Sequence, residues 1–86
     1  MYKAEFSPKA LKDLKKLKKT PYYNKFLKVF ESIKHDPFSL SDHFEYLEGD
    51  MKGYMSKRIN VQHRVVYFVL EDKKLVRIIR AWTHYE

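Results

Sequence analysis

The chain of 86 residues has no cysteine and only two glycines, Gly49 and Gly53. The first absence excludes disulfides and thiolate metal sites and leaves burial of apolar side chains as the source of stability. The second disfavours a nucleotide-binding phosphate loop, because neither glycine is followed by a helix-start signal. Long apolar runs are missing as well. The N-terminus, MYKAEFSPKALKD, is charged by its third residue, so neither a secretory signal nor a membrane span is expected there and a cytoplasmic protein is the default. The four histidines, His35, His43, His63 and His84, have no close ligand spacing. No metal and no cofactor is expected.

What is present is a rich apolar complement for so short a chain, 44% of residues with 16% aromatic, which favours one folded domain over a basic tail. The net charge of +7 is carried entirely by residues 1–34, where ten lysines face only Glu5, Asp13 and Glu31; the remainder is neutral. Such an excess suits a polyanion, either nucleic acid or an acidic protein. It equally suits a helix whose lysines are only solvated.

The spacing of apolar residues changes along the chain. Residues 1–6 alternate and predict a strand. Ser7 and Pro8 form a helix start, and Ala10, Leu11, Leu14 and Leu17 follow at helical intervals. Thr20-Pro21 repeats the signal, and Tyr23, Phe26, Leu27, Phe30 and Ile33 make a second stripe ended by Asp36-Pro37. Residues 36–53 predict irregular chain with a short strand at Phe44 to Leu47. From Tyr54 the period is two: Met55, Lys57, Ile59 and Val61 fall on one side of a strand, Tyr54, Ser56, Arg58 and Asn60 on the other. Strands over Arg64 to Leu70 and Leu75 to Trp82 are joined by a turn at Glu71 to Lys74, which leaves His63 in a preceding turn. The resulting order, β-α-α-β-β-β with a possible further strand, is an α+β fold: two N-terminal helices on one face of an antiparallel sheet, the other face open to a ligand.

With no metal expected, the chemistry open to such a surface is acid–base chemistry assisted by a cation. RNA carries its own nucleophile, so a base for the 2′-hydroxyl, an acid for the 5′-oxygen and an arginine for the phosphate suffice. Arginine suits the last role because its planar fork donates two parallel hydrogen bonds. Residue types alone do not separate this from solvated strand positions and an exposed terminal histidine.

Three segments sharpen the reading. Ser56-Lys57-Arg58-Ile59, His63-Arg64-Val65-Val66-Tyr67 and the ending His84-Tyr85 together closely resemble the Txe/YoeB family of bacterial toxins, within the wider RelE group of ribosome-associated mRNA interferases. His35 to Phe38 and Phe44 to Leu47 resemble further segments of that family, while the helical half agrees by pattern and length. The resemblance implies a single toxin domain over residues 1–86 with a RelE-like microbial ribonuclease fold. It implies cleavage of mRNA in the ribosomal A site, with Glu45 as general base, Arg64 on the phosphate and His84 as general acid. Tyr85, Arg58, Lys57 and Ser56 would bind substrate, and His63 would support rather than react. The implied partners are mRNA, the ribosome and its RNA, an acidic antitoxin of the YefM/Axe type, and a second copy in a homodimer. A binding module without catalysis and a ParE-like toxin acting on DNA gyrase are the rival classes. Two positions depart from the family pattern: Glu48 stands where a lysine is frequent, and Glu86 follows the His-Tyr pair. Glu48 either points away or raises the pKa of Glu45.

Overall fold

A computed structural model of the chain describes residues 1–84, with the backbone alone at residue 84. Strand β1 (Lys3–Phe6) leads into helices α1 (Pro8–Leu17) and α2 (Tyr23–His35), followed by β2 (Glu45–Tyr46), β3 (Met55–Arg58), β4 (His63–Leu70) and β5 (Leu75–His84). The strands form one five-stranded sheet in the order β1-β5-β4-β3-β2. This is the expected α+β architecture, two helices on a sheet, with one difference. All pairs are antiparallel except β1 with β5, which is parallel. Alternation within a strand says nothing of its direction, and segments from opposite ends of the chain can pair in either sense.

The helices start and stop where local chemistry dictates, with small shifts. Ser7 caps α1, its hydroxyl oxygen accepting from the Ala10 amide at 3.1 Å with Pro8 in the first turn. At Thr20-Pro21 the helix begins later than expected, at Tyr23. The Thr20 hydroxyl instead donates to the Leu17 carbonyl at 2.8 Å and accepts from the Tyr22 amide at 3.2 Å, tying together the turn between the helices. The buried stripes are Ala10, Asp13 and Leu17 on α1 and Phe26, Val29 and Ile33 on α2, while Leu11 and Leu27 are 50% and 40% exposed. These stripes cover Val65 and Tyr67 of β4 and Val76, Ile78 and Ala81 of β5, all with no exposed surface. Each of the valine and isoleucine side chains so buried stabilises the fold by about 1.5–3 kcal/mol. Among the described residues, no helix is long and apolar enough to cross a membrane.

The helix-facing side of the sheet also buries a charge. Lys57 follows the alternation of β3, beside Met55 and Ile59, and is completely buried. Its ammonium lies 2.8–3.0 Å from four oxygens, the carbonyl and hydroxyl of both Ser39 and Ser41. The segment between α2 and β2 is thereby wrapped around one cation. The expectation that Lys57 lines the open face and binds substrate is therefore corrected: strand alternation sends it to the other side. Burial lowers its pKa. Tyr67, equally buried, donates its hydroxyl to the Pro37 carbonyl at 2.7 Å and anchors the same segment.

Two stability outcomes follow. Lys57→Met keeps the volume but leaves the Ser39 and Ser41 carbonyls without their donor, and should lower the unfolding free energy in urea by about 2–3 kcal/mol. Burial raises the Tyr67 pKa above its ordinary value of 10.0, so its contribution is intact below pH 10 and is lost as pH rises beyond it. An alkaline fall in thermal midpoint beginning near pH 10, blunted in Tyr67→Phe, is the expected result.

Candidate active site

The face of the sheet away from the helices gathers side chains from four strands. Glu45 of β2 is opposite Ser56 of β3, and Arg58 of β3 is opposite Arg64 of β4, which in turn is opposite Thr83 of β5. Directly opposed residues share a face, so Glu45, Ser56, Arg58, Arg64 and Thr83 point the same way. Arg64 is the centre of this group. Its Nη1 donates to the Ser56 hydroxyl at 3.3 Å and lies 3.2 Å from Oε2 of Glu45. Only 13% of the Arg64 side chain is exposed, against 49% for Glu45. The arginine is thus held by the sheet while the carboxylate stands at the water boundary.

Both contacts use the same nitrogen, so among the described residues the other donors of Arg64 have no partner and can meet an anion. Arg58 adds to this. Like charges directly opposite each other destabilise a sheet, so the Arg58–Arg64 pair is an unfavourable arrangement that an anion relieves. Arg58 also has a buried Nε with no hydrogen-bond partner among the described residues. It lines a pocket of about 270 Å³ together with Lys25, Asp42, His43 and Asn60. Lys25 is already paired with Asp42 at 3.1 Å, which leaves Arg58 as the cation there without an acidic partner among the described residues.

The remaining sequence-expected residues fall as follows. His63 opens β4 rather than sitting in a turn, and its ring stacks on Trp82 with centroids 3.7 Å apart and planes 1° from parallel. The backbone of His84 is opposite His63, one residue beyond the partner of Arg64. Tyr85 and Glu86 lie outside the described residues. Ser56 shares that face but is fully buried, its hydroxyl accepting from Arg64. Glu48 is exposed at the start of a single 3-10 turn, Gly49–Met51, and makes no ion pair among the described residues. The lysines of α1 and the turn after it, Lys9, Lys12, Lys15, Lys16, Lys18 and Lys19, are all exposed, and none is in an ion pair among the described residues. Among the described residues, no group of three histidines or carboxylates could hold a metal ion. Sequence reasoning missed Asp13, which is 4% exposed and receives Arg80 in a two-pronged ion pair. Its place three residues after Ala10 and four before Leu17 was a readable signal.

Comparison with known proteins matches residues 6–85 to the model of the YoeB-like toxin of bacterial type II toxin-antitoxin systems. A curated relative, Toxin YoeB of Mycobacterium bovis, is 38% identical over 58 residues, 67% of this chain and 66% of its own length. The chain thus spans just under two thirds of that relative. Two solved structures from Staphylococcus aureus superpose with a TM-score of 0.82 each: a heterotetrameric YoeB-YefM toxin-antitoxin complex, 28% identical with 99% of both chains covered, and a YoeB dimer, 30% identical with 98% of both covered.

The geometry makes Glu45 a competitor for Arg64. Replacing it by glutamine should tighten the binding of inorganic phosphate, read from the Arg64 Nε–H resonance, by up to about fivefold, the amount an exposed ion pair of about 1 kcal/mol implies. Arg64→Ala should abolish phosphate binding, read in that variant from the Ser56 amide resonance.

Proposed function

The chain belongs to the YoeB-like toxin family of bacterial type II toxin-antitoxin systems, and from that premise we propose that residues 1–86 form one toxin domain acting as a ribosome-dependent endoribonuclease on mRNA. The observation that carries the reading is the 3.2 Å pair of Arg64 and Glu45 on the open face, beside the strand that carries His84. On this reading a base and a phosphate-binding group already stand side by side.

In this mechanism the scissile phosphate takes the open donors of Arg64. Glu45, released from the arginine, accepts the proton of the 2′-hydroxyl, whose oxygen attacks phosphorus. His84 donates a proton to the departing 5′-oxygen, and a 2′,3′-cyclic phosphate remains. Each proton-transferring group contributes on the order of 100- to 10,000-fold, and Arg64 stabilises the charge that builds on the phosphorane oxygens. Arg58, beside Arg64, holds a flanking phosphate, and Ser56 fixes the Arg64 fork. Tyr85 assists in holding substrate, as the resemblance implies.

The exposed lysines of α1 supply the contact with ribosomal RNA, whose phosphates reward positive charge regardless of sequence. An acidic antitoxin segment of the YefM type competes for the open face; the YoeB-YefM complex from Staphylococcus aureus supports such a partner, and the YoeB dimer supports a second copy. The protein would act in the cytoplasm, where ribosomes translate.

Toeprinting of a defined mRNA on programmed ribosomes tests the proposal. Wild-type protein should cut within the A-site codon, and Glu45→Gln, Arg64→Ala and His84→Gln should each lower the rate on the order of 100-fold or more while still binding ribosomes. Binding without a wild-type cut would replace this reading by a non-catalytic RNA-binding module.

A further inference from the structure

The last strand reaches the candidate site only because its register changes twice. Near the hairpin, Tyr67 of β4 is opposite Ile78 of β5; further on, Val66 is opposite Arg80 and Arg64 is opposite Thr83. The first shift inserts Ile79 into β5, and the second sets Ala81 and Trp82 against Val65 alone. Continued without these shifts, the register of Tyr67 with Ile78 would set Arg64 against Ala81 and His84 against Val61, in the turn before β4. The bulges draw His84 back to a position opposite His63 and beside Arg64.

A bulge frees backbone amides from the ladder, and in a buried position they require another acceptor. Here one carboxylate supplies it. Oδ2 of Asp13 accepts from the Ala81 amide at 3.1 Å, from the Trp82 amide at 3.4 Å and from Arg80 Nε at 2.7 Å, while Oδ1 accepts from Arg80 Nη2 at 3.1 Å. Asp13 sits on α1 and is 4% exposed, so the helix that packs on β5 also fixes the irregular part of that strand. The ion pair with Arg80 balances the buried charge; the two amide contacts define the backbone path.

We infer that Asp13 is a positioning residue of this toxin, whose carboxylate holds the Ala81–Trp82 bulge and thereby sets the backbone of His84 against that of His63, beside Arg64. The catalytic consequence rests on the proposed nuclease reading; the positional one does not. A displacement of about 1 Å in a reacting group costs on the order of 100-fold in rate, while RNA binding through Arg64 and the lysines is unaffected.

The test combines NMR of the free protein with cleavage on programmed ribosomes. In the wild type, the amides of Ala81 and Trp82 should exchange with solvent as slowly as those of the central ladder; rapid exchange overturns the bulge assignment without any variant. In Asp13→Asn, which weakens the acceptor at Oδ2, the cross-strand contact between Arg64 and Thr83 should be lost while that between Tyr67 and Ile78 persists. Its kcat should fall on the order of 100-fold with KM for ribosomes unchanged. Arg80→Gln, which removes the ion pair but leaves the amides capped, should lower the thermal midpoint and keep both the Arg64–Thr83 contact and kcat. Retention of that contact in Asp13→Asn, its loss with kcat unchanged, or an equal fall of kcat in Arg80→Gln would each overturn the inference. A wild-type protein that cleaves nothing would defeat the nuclease reading, and the exchange and contact measurements would still decide the role of Asp13 in the register.

Discussion

The insertion of β5 between β4 and β1 is the constraint on which the other features depend. This strand is the last in the chain, yet it lies inside the sheet, pairing antiparallel with β4 and parallel with the first strand. Its Val76, Ile78 and Ala81 have no exposed surface and receive the helices. Neither β1 nor α1 has a place to pack until β5 is in position, so the two ends of the chain must meet before the core closes. Contacts so far apart in sequence are entropically expensive to form, which ties the order of the open face to completion of the whole sheet. Glu45, Arg64 and His84 stand on three different strands, and none of the strands brings two of them together alone.

The charges divide into two kinds. Lys57 and Asp13 are buried and satisfied: four oxygens surround the ammonium, and four hydrogen bonds from Arg80, Ala81 and Trp82 converge on the carboxylate. Buried charges persist only under such conditions, and each here fixes a segment without regular structure: the loop after α2 and the bulge of β5. Arg58 and the lysines of α1 are the opposite case. They have no compensating partners among the described residues, and Arg58 retains a buried donor with nothing to receive it. An orphaned donor of this kind is unfavourable in the free protein and is relieved by an anion, which supports the proposed phosphate-binding surface.

Much of this architecture was legible in the order of residues. Both helices follow from stripes ended by proline or a turn, and the β4–β5 hairpin follows from two β-branched runs around Glu71 to Lys74, where Lys74 supplies the left-handed residue, φ 49°, that the turn needs. Alternation in β3 assigned Lys57 to the apolar side correctly; the expectation that it binds substrate gave charge more weight than position. Asp13 was hidden by the lysines around it, although its spacing from Ala10 and Leu17 marks it as buried. The parallel sense of β1 and the two bulges leave no local signature, because both are decided by partners far away in sequence. Of the open face, Arg64 and Glu45 were readable through the resemblance to a toxin family, whereas their direct pairing needed the register of three strands.

That pairing has a consequence for how a resting site stays ready. In the free protein the charges of Arg64 and Glu45 neutralise each other, which keeps Arg64 oriented by Glu45 on one side and Ser56 on the other. Because Glu45 is half exposed, the pair contributes only about 1 kcal/mol or less. A phosphate offering two charge-assisted hydrogen bonds to the arginine fork is a stronger partner, each such bond being worth about 1.5–3 kcal/mol. On the proposed reading, substrate therefore displaces Glu45 from Arg64 at little energetic disadvantage, and the displacement itself frees the carboxylate beside the ribose. A tighter, buried pair would have resisted this exchange; a missing one would have left Arg64 without a fixed direction. The partial exposure of Glu45 is thus the property that lets one ion pair serve both states.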